Sequence, residues 1–131
     1  MYGAEMSSSD FWRYTFTNND LSTIPAEKYR NLMVDIQKLL AEDMSNRKIS
    51  AKIDITYSKD LGMHVLHFET EDQLLSIYVR PQGVDIRINR VGMKRYHDLV
   101  TKLFYLLRNY SLVLAESVFF IKVRVRKLSL S

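Results

Sequence analysis

The side chains best able to do chemistry in this 131-residue chain are three histidines, a run of serines and a cluster of carboxylates. His64 and His67 form an H-x-x-H. On a helix that spacing puts both imidazoles on one face, as metal sites require. In an alternating strand it sends them to opposite faces, so no shared metal is expected. His67 and Glu69 do share a strand face and could pair, but structural pairing of each with a cross-strand neighbour is the commoner fate. His97 and Asp98 are neighbours at the start of a predicted helix, where adjacent residues do not face each other. Asp98 therefore reads as a first-turn acid that complements the helix dipole. Ser7, Ser8 and Ser9 lie in an N-terminal segment with no fixed base to activate them. Glu69, Glu71 and Asp72 lack the spacing of a calcium loop and read as a hairpin turn.

There is no cysteine. That removes thiolate catalysis, disulfides and cysteine-based zinc sites. None of G-x-S-x-G, G-x-x-x-x-G-K-[ST] or G-x-G-x-x-G occurs, and four glycines are too few for such phosphate loops. No catalytic residue, metal or cofactor is expected. An enzyme is left only as a site assembled from distant residues.

The composition is 47% hydrophobic and 26% charged. This excludes a disordered, collagen-like or disulfide-scaffold chain and fits one globular domain with its own core. The expected organisation is a flexible tail over 1–10 and a single domain over 11–128. The N-terminus lacks a basic region followed by an apolar run, so no secretory signal is read there. Residues 99–121 are apolar but are interrupted by Lys102, Arg108 and Glu116, which argues against a membrane span. An intracellular, non-membrane location is the expectation.

Periodicity supplies the elements that would position any site. Residues 11–17 alternate, with Trp12, Tyr14 and Phe16 on one face and Arg13, Thr15 and Thr17 on the other. Tyr29, Leu32, Met33, Ile36, Leu39, Leu40 and Met44 recur at helical steps, predicting a helix over about 25–44. Four strand segments follow as an antiparallel meander, of which the second, Met63–Thr70, alternates less clearly. In the first, Ile49, Ala51, Ile53, Ile55 and Tyr57 form an apolar row expected to face the core. Leu75, Ile77 and Val79, then Val84, Ile86 and Ile88, point inward in the third and fourth. Tyr96, Leu99, Val100, Leu103, Leu107 and Tyr110 make a second helical face, which ends at Asn109 or runs on to Glu116. Ile121, Val123 and Val125 predict a last strand. The order β-α-β-β-β-β-α-β predicts an α+β two-layer sandwich, both helices on one face of a largely antiparallel sheet.

The net charge of +4 hides an asymmetry. Residues 1–79 carry twelve acids and eight bases, whereas residues 80–131 carry three acids and eleven bases. Strand parity puts Tyr78, Arg80, Arg87, Lys122, Arg124 and Arg126 on the outward sheet face. If the last strand lies beside the 84–90 strand, they form one basic surface with an aromatic platform. Such a surface suits an anionic macromolecule, either single-stranded nucleic acid or an acidic protein segment. The expected function is a non-enzymatic binding module. The alternative is a self-associating adaptor or assembly subunit, a homo-oligomer that uses Phe120, Trp12 and Tyr14 as its interface. The bland counterpart of both is a solvated sheet face with its arginines paired to Asp54, Asp85 or Glu69, and aromatics that belong to the core.

Overall fold

The computed structural model describes residues 10–121. Within them the chain runs β1 (Phe11–Asn18), α1 (Ala26–Arg47), β2 (Ala51–Ser58), β3 (Met63–Thr70), β4 (Leu75–Arg80), β5 (Gly83–Asn89), α2 (Arg90–Arg95), α3 (His97–Asn109) and β6 (Leu112–Phe120). The strands form one sheet in the order β2-β3-β4-β5-β1-β6, with every pairing antiparallel. The helices lie on one face of it, so the fold is an α+β sandwich. Of the expected tail, residues 1–9 lie outside the described residues, as do residues 122–128 of the expected domain.

Helix α1 begins after Pro25, carries Glu27 in its first turn and Arg47 in its last, and ends at Lys48 in the left-handed conformation. Its buried stripe is Tyr29, Leu32, Met33, Ile36, Leu40 and Met44. Helix α3 buries Leu99, Val100, Leu103 and Leu107. Opposite them lie Leu66 and Phe68 of β3, Leu75, Ile77 and Val79 of β4, Val84, Ile86 and Ile88 of β5, and Phe16 of β1, all in one core. The core is tied to the sheet backbone by Tyr29, whose hydroxyl lies 2.8 Å from the His64 carbonyl and 2.9 Å from that of Val79. Burial pushes this hydroxyl's pKa up to about 12, against a small opposing effect of Arg80. Among the described residues no helix is long and apolar enough to cross a membrane.

Four features differ from expectation. A short helix, α2, separates β5 from α3; the Asn89 side chain caps it by accepting from the Gly92 amide at 2.7 Å. Strand β6 begins at Leu112, where the periodicity also allows a continued helix, and the strand expected from Ile121 to Val125 lies, beyond Ile121, outside the described residues. Tyr110 and the left-handed Ser111 end the helix, and Leu112–Phe120 has enough β-branched and aromatic residues to pair with β1. That strand is not beside β5 either. β1 lies between them, and Gly83 permits its close approach, since a Cβ there would sit 2.4 Å from the Phe16 carbonyl oxygen. Finally, the apolar row of β2 is not buried. Ile53, Ile55 and Tyr57 face the helix side but remain 40%, 45% and 54% exposed, because β2 is an edge strand that α1 does not reach.

The β3–β4 turn is fastened to the helical layer by Asp72. It accepts from the Thr70 hydroxyl (2.6 Å), the Tyr96 hydroxyl (2.6 Å), Arg95 Nη1 (2.8 Å) and the Leu74 amide (3.1 Å). Burial alone would raise this carboxyl, but the four hydrogen bonds outweigh it and hold the pKa down at about 2. A depressed pKa stabilises the fold above the unfolded value near 3.8, and the contribution disappears as pH falls toward about 2. After allowance for solvent screening it is worth about 1 kcal/mol. Asp72→Asn is therefore expected to lower urea-unfolding stability by about 1 kcal/mol at neutral pH. Its gap to the unmodified chain should close between about pH 4 and pH 2.

Candidate functional site on the outer sheet face

The sheet face away from the helices is built by parity. The residues between the buried positions point outward: His67 and Glu69 on β3, Ser76, Tyr78 and Arg80 on β4, and Asp85 and Arg87 on β5. On β1 the partners of Asn89, Arg87 and Asp85 are Phe11, Arg13 and Thr15, and β6 adds Glu116, Val118 and Phe120. Two rows result. One runs His67, Tyr78, Asp85, Thr15, Glu116; the other runs Glu69, Ser76, Arg87, Arg13, Val118.

Cross-strand pairing settles most of the charge on this face. Asp85 is buried, accepts from the Thr15 hydroxyl at 2.7 Å and pairs with Arg80. Arg13 pairs with Glu116. Lys52 and Asp54 lie 3.7 Å apart on β2. Arg87 differs: among the described residues it has no carboxylate partner. Its guanidinium lies 5.1 Å from the Tyr78 ring centre and 6.0 Å from that of Phe11. Tyr78 in turn stacks on His67, with centroids 4.3 Å apart and planes 8° apart. Phe11 stacks on Phe120 at 4.9 Å, and Arg13 lies 5.1 Å from the Phe120 ring. Cation–π contact holds such guanidinium groups flat over rings without satisfying their N–H groups. Arg87 Nε, Arg13 Nε and His67 Nε2 are all shielded from solvent and lack a hydrogen-bond partner among the described residues. Unpaired buried nitrogens are rare enough to call for an explanation.

Of the six residues expected to bind an anion, Tyr78, Arg80 and Arg87 come together here. Lys122, Arg124 and Arg126 lie outside the described residues. The surface takes a different form from a uniformly basic one: Lys52, Arg13, Arg80 and Arg87 share it with Asp54, Glu69, Asp85 and Glu116. The three proposed interface aromatics do not share a face. Phe120 is outward, whereas Trp12 and Tyr14 turn toward the helices, Trp12 against Phe119 at 4.7 Å and Tyr14 against Phe104 at 5.4 Å. Sequence reasoning missed Phe11 and Arg13 as members of the site. Their parity was readable, but their position between β5 and β6 was not.

Elsewhere, His64 lies on the face opposite His67, against Tyr57 at 5.2 Å. No cluster of three or more His, Asp or Glu among the described residues is arranged to hold a metal. Two clefts open where the helices stop short of the sheet edges. One of about 370 Å³ lies between α1 and β2–β3, lined by Tyr29, Met33, Val34, Ile55, Tyr57 and His64. The other, about 500 Å³, lies between α3 and β6, lined by Phe104, Tyr105, Leu112 and Leu114 among others. Both are walled largely by apolar side chains. Comparison with protein-family models, with curated proteins and with solved structures finds no match.

The two kinds of arginine neighbourhood should respond differently to substitution. Asp85→Ala removes a buried acceptor of two hydrogen bonds and is expected to cost about 2 kcal/mol. Arg87→Met keeps the packing length while removing an already unsatisfied Nε, and should change stability by less than about 1 kcal/mol. Urea-unfolding midpoints of the two variants measure the contrast.

Proposed function

We propose that the chain is a non-enzymatic binding module that receives an anionic partner on its outer sheet face, centred on Arg87. The observation that carries this reading is the contrast among three arginines. Arg13 and Arg80 are each neutralised by a carboxylate, whereas Arg87 has none among the described residues and lies between two rings. An incoming phosphate or carboxylate would meet a guanidinium with no internal competitor, and guanidinium favours bidentate contact with such groups. The flat rings around it, Tyr78 stacked on His67 and Phe11 on Phe120, suit bases better than they suit acidic side chains. Single-stranded nucleic acid is therefore the preferred partner. The reading takes the chain as intracellular, which fits its lack of cysteine.

A second reading, a self-associating adaptor or assembly subunit, is supported by apolar side chains left open at both sheet edges. Leu114 of β6 is 49% exposed, and Phe119, farther along the same strand, is also exposed.

Fluorescence anisotropy with labelled mixed-sequence single-stranded RNA and DNA tests the first reading. Binding should weaken about 7-fold between about 50 and 200 mM salt, as contacts to roughly two phosphates of a single strand require. Arg87→Met should weaken binding by about 10-fold or more. Asp85→Asn, which releases Arg80, should strengthen it. Binding to an acidic peptide but to neither nucleic acid would reassign the partner, and no binding to any of them at low salt would overturn the reading.

A further inference from the structure

Strand β2 ends the sheet, and its outer side has no partner among the described residues. Natural edge strands are usually blunted by proline, a bulge, shortness or charged side chains. β6, at the other edge, has such a device: its register shifts opposite Thr15 and Phe16. β2 is neither short nor bulged, and its two charges, Lys52 and Asp54, are of opposite sign. Its eight residues pair with β3 in unbroken register, from Ala51 opposite Thr70 to Ser58 opposite Met63, and none of them is proline. Its helix-side row, Ile53, Ile55 and Tyr57, stands exposed beside Val34 of α1, itself 48% exposed. The strand is thus an open ladder of backbone groups with an apolar strip along one face.

The outward row of β2 specifies the occupant. It reads Lys52, Asp54, Thr56. When an antiparallel strand pairs with a second copy of itself about a two-fold axis perpendicular to the sheet, each face stays on its own side. The possible registers are then fixed by the central residue. Centring on Lys52 opposes lysine to lysine. Centring on Asp54 opposes aspartate to aspartate. Centring on Ile55 leaves Asp54 opposite Thr56. Centring on Ile53 sets Lys52 of each copy directly opposite Asp54 of the other, Ile53 opposite Ile53 and Ala51 opposite Ile55. Opposite charges directly across a strand pair stabilise it, and like charges oppose it. One register therefore satisfies charge and apolar contact together, and it does so only with the same sequence on both sides.

We infer that β2 is a homodimerisation edge, pairing antiparallel about Ile53 to join two six-stranded sheets into one of twelve strands. The apolar strips of the two copies meet on the helix side and close the exposed flank of each α1 cleft. Both outer faces lie on the same side of the joined sheet. The pairing uses the edge farthest in the sheet order from Phe120, Trp12 and Tyr14, and it stands or falls independently of the Arg87 site.

A charge swap tests the inference. Sedimentation velocity from about 1 to about 100 μM should show a monomer–dimer equilibrium for the unmodified chain. Lys52→Asp opposes aspartate to aspartate across the axis, and Asp54→Lys opposes lysine to lysine; each should weaken dimerisation by about 10-fold or more. The double variant Lys52→Asp/Asp54→Lys should restore it. Equimolar mixing of the two single variants should produce a heterodimer that neither forms alone. Both sites are exposed, and far-UV circular dichroism would verify that each variant keeps its fold. A monomer at every concentration overturns the inference and leaves the edge to an extended segment of another protein. A dimer insensitive to both single variants overturns it too, and places the contact elsewhere on the surface.

Discussion

Two helices cannot cover six strands. Strands repeat at about 4.8 Å, so six span roughly 24–29 Å, whereas two packed helices side by side cover about 20 Å. The difference falls at the sheet edges. β3, β4 and β5 lie under the helical layer, and their inward side chains from Leu66 to Ile88 are almost completely buried. β2 and β6 extend past it, so Ile53, Ile55, Tyr57 and Leu114 carry core chemistry without core burial. The two clefts lie where this geometry requires, one beside each flanking helix. Asp72 fastens the β3–β4 turn to Arg95 and Tyr96 and so ties the sheet to the helical layer.

The opposite face follows a different rule. Nothing in the described chain covers it, so its charges must be satisfied laterally, between neighbouring strands. The Arg80–Asp85–Thr15 chain and the Arg13–Glu116 pair do this across β4, β5, β1 and β6. Arg87 stands in the row of Ser76 and Arg13, where no carboxylate is opposite, and rests on aromatic rings instead. Among the described residues Arg87 is thus the one arginine of this face held by rings and not by a carboxylate.

The sequence carried the element types, the antiparallel meander and the two layers, but not the places of β1 and β6 or how far the helices reach. Ile77, Val79, Ile86 and Ile88 were readable as inward residues, and their strands are central and covered. Ile53, Ile55 and Tyr57 gave the same alternating signal and are exposed. Alternation records which face a side chain is on, not whether a helix reaches that strand. The pairing of Phe11 with Phe120 and Trp12 with Phe119 joins residues about a hundred positions apart, a long-range choice that local periodicity does not encode. Parity still left a trace: adjacent phenylalanines must point to opposite faces, and Phe119 and Phe120 do. The helix end at Asn109 depended on Ser111 adopting φ 60°, a conformation that residue type alone does not announce. Of the candidate site, Tyr78, Arg80 and Arg87 were legible from parity within the meander. Phe11 and Arg13 required the strand order.

The most direct test of the coverage constraint is residue-resolved amide hydrogen exchange across the sheet. In dilute solution β4 and β5 should exchange slowest, near the global unfolding limit, and the β2 amides that point away from β3 should exchange fastest of the ladder. Those same β2 amides should become protected as concentration rises. Exchange of the β2 amides bonded to β3 as slow in the dilute monomer as that of β4 and β5 would show that β2 is held as firmly as the covered strands and would contradict the account.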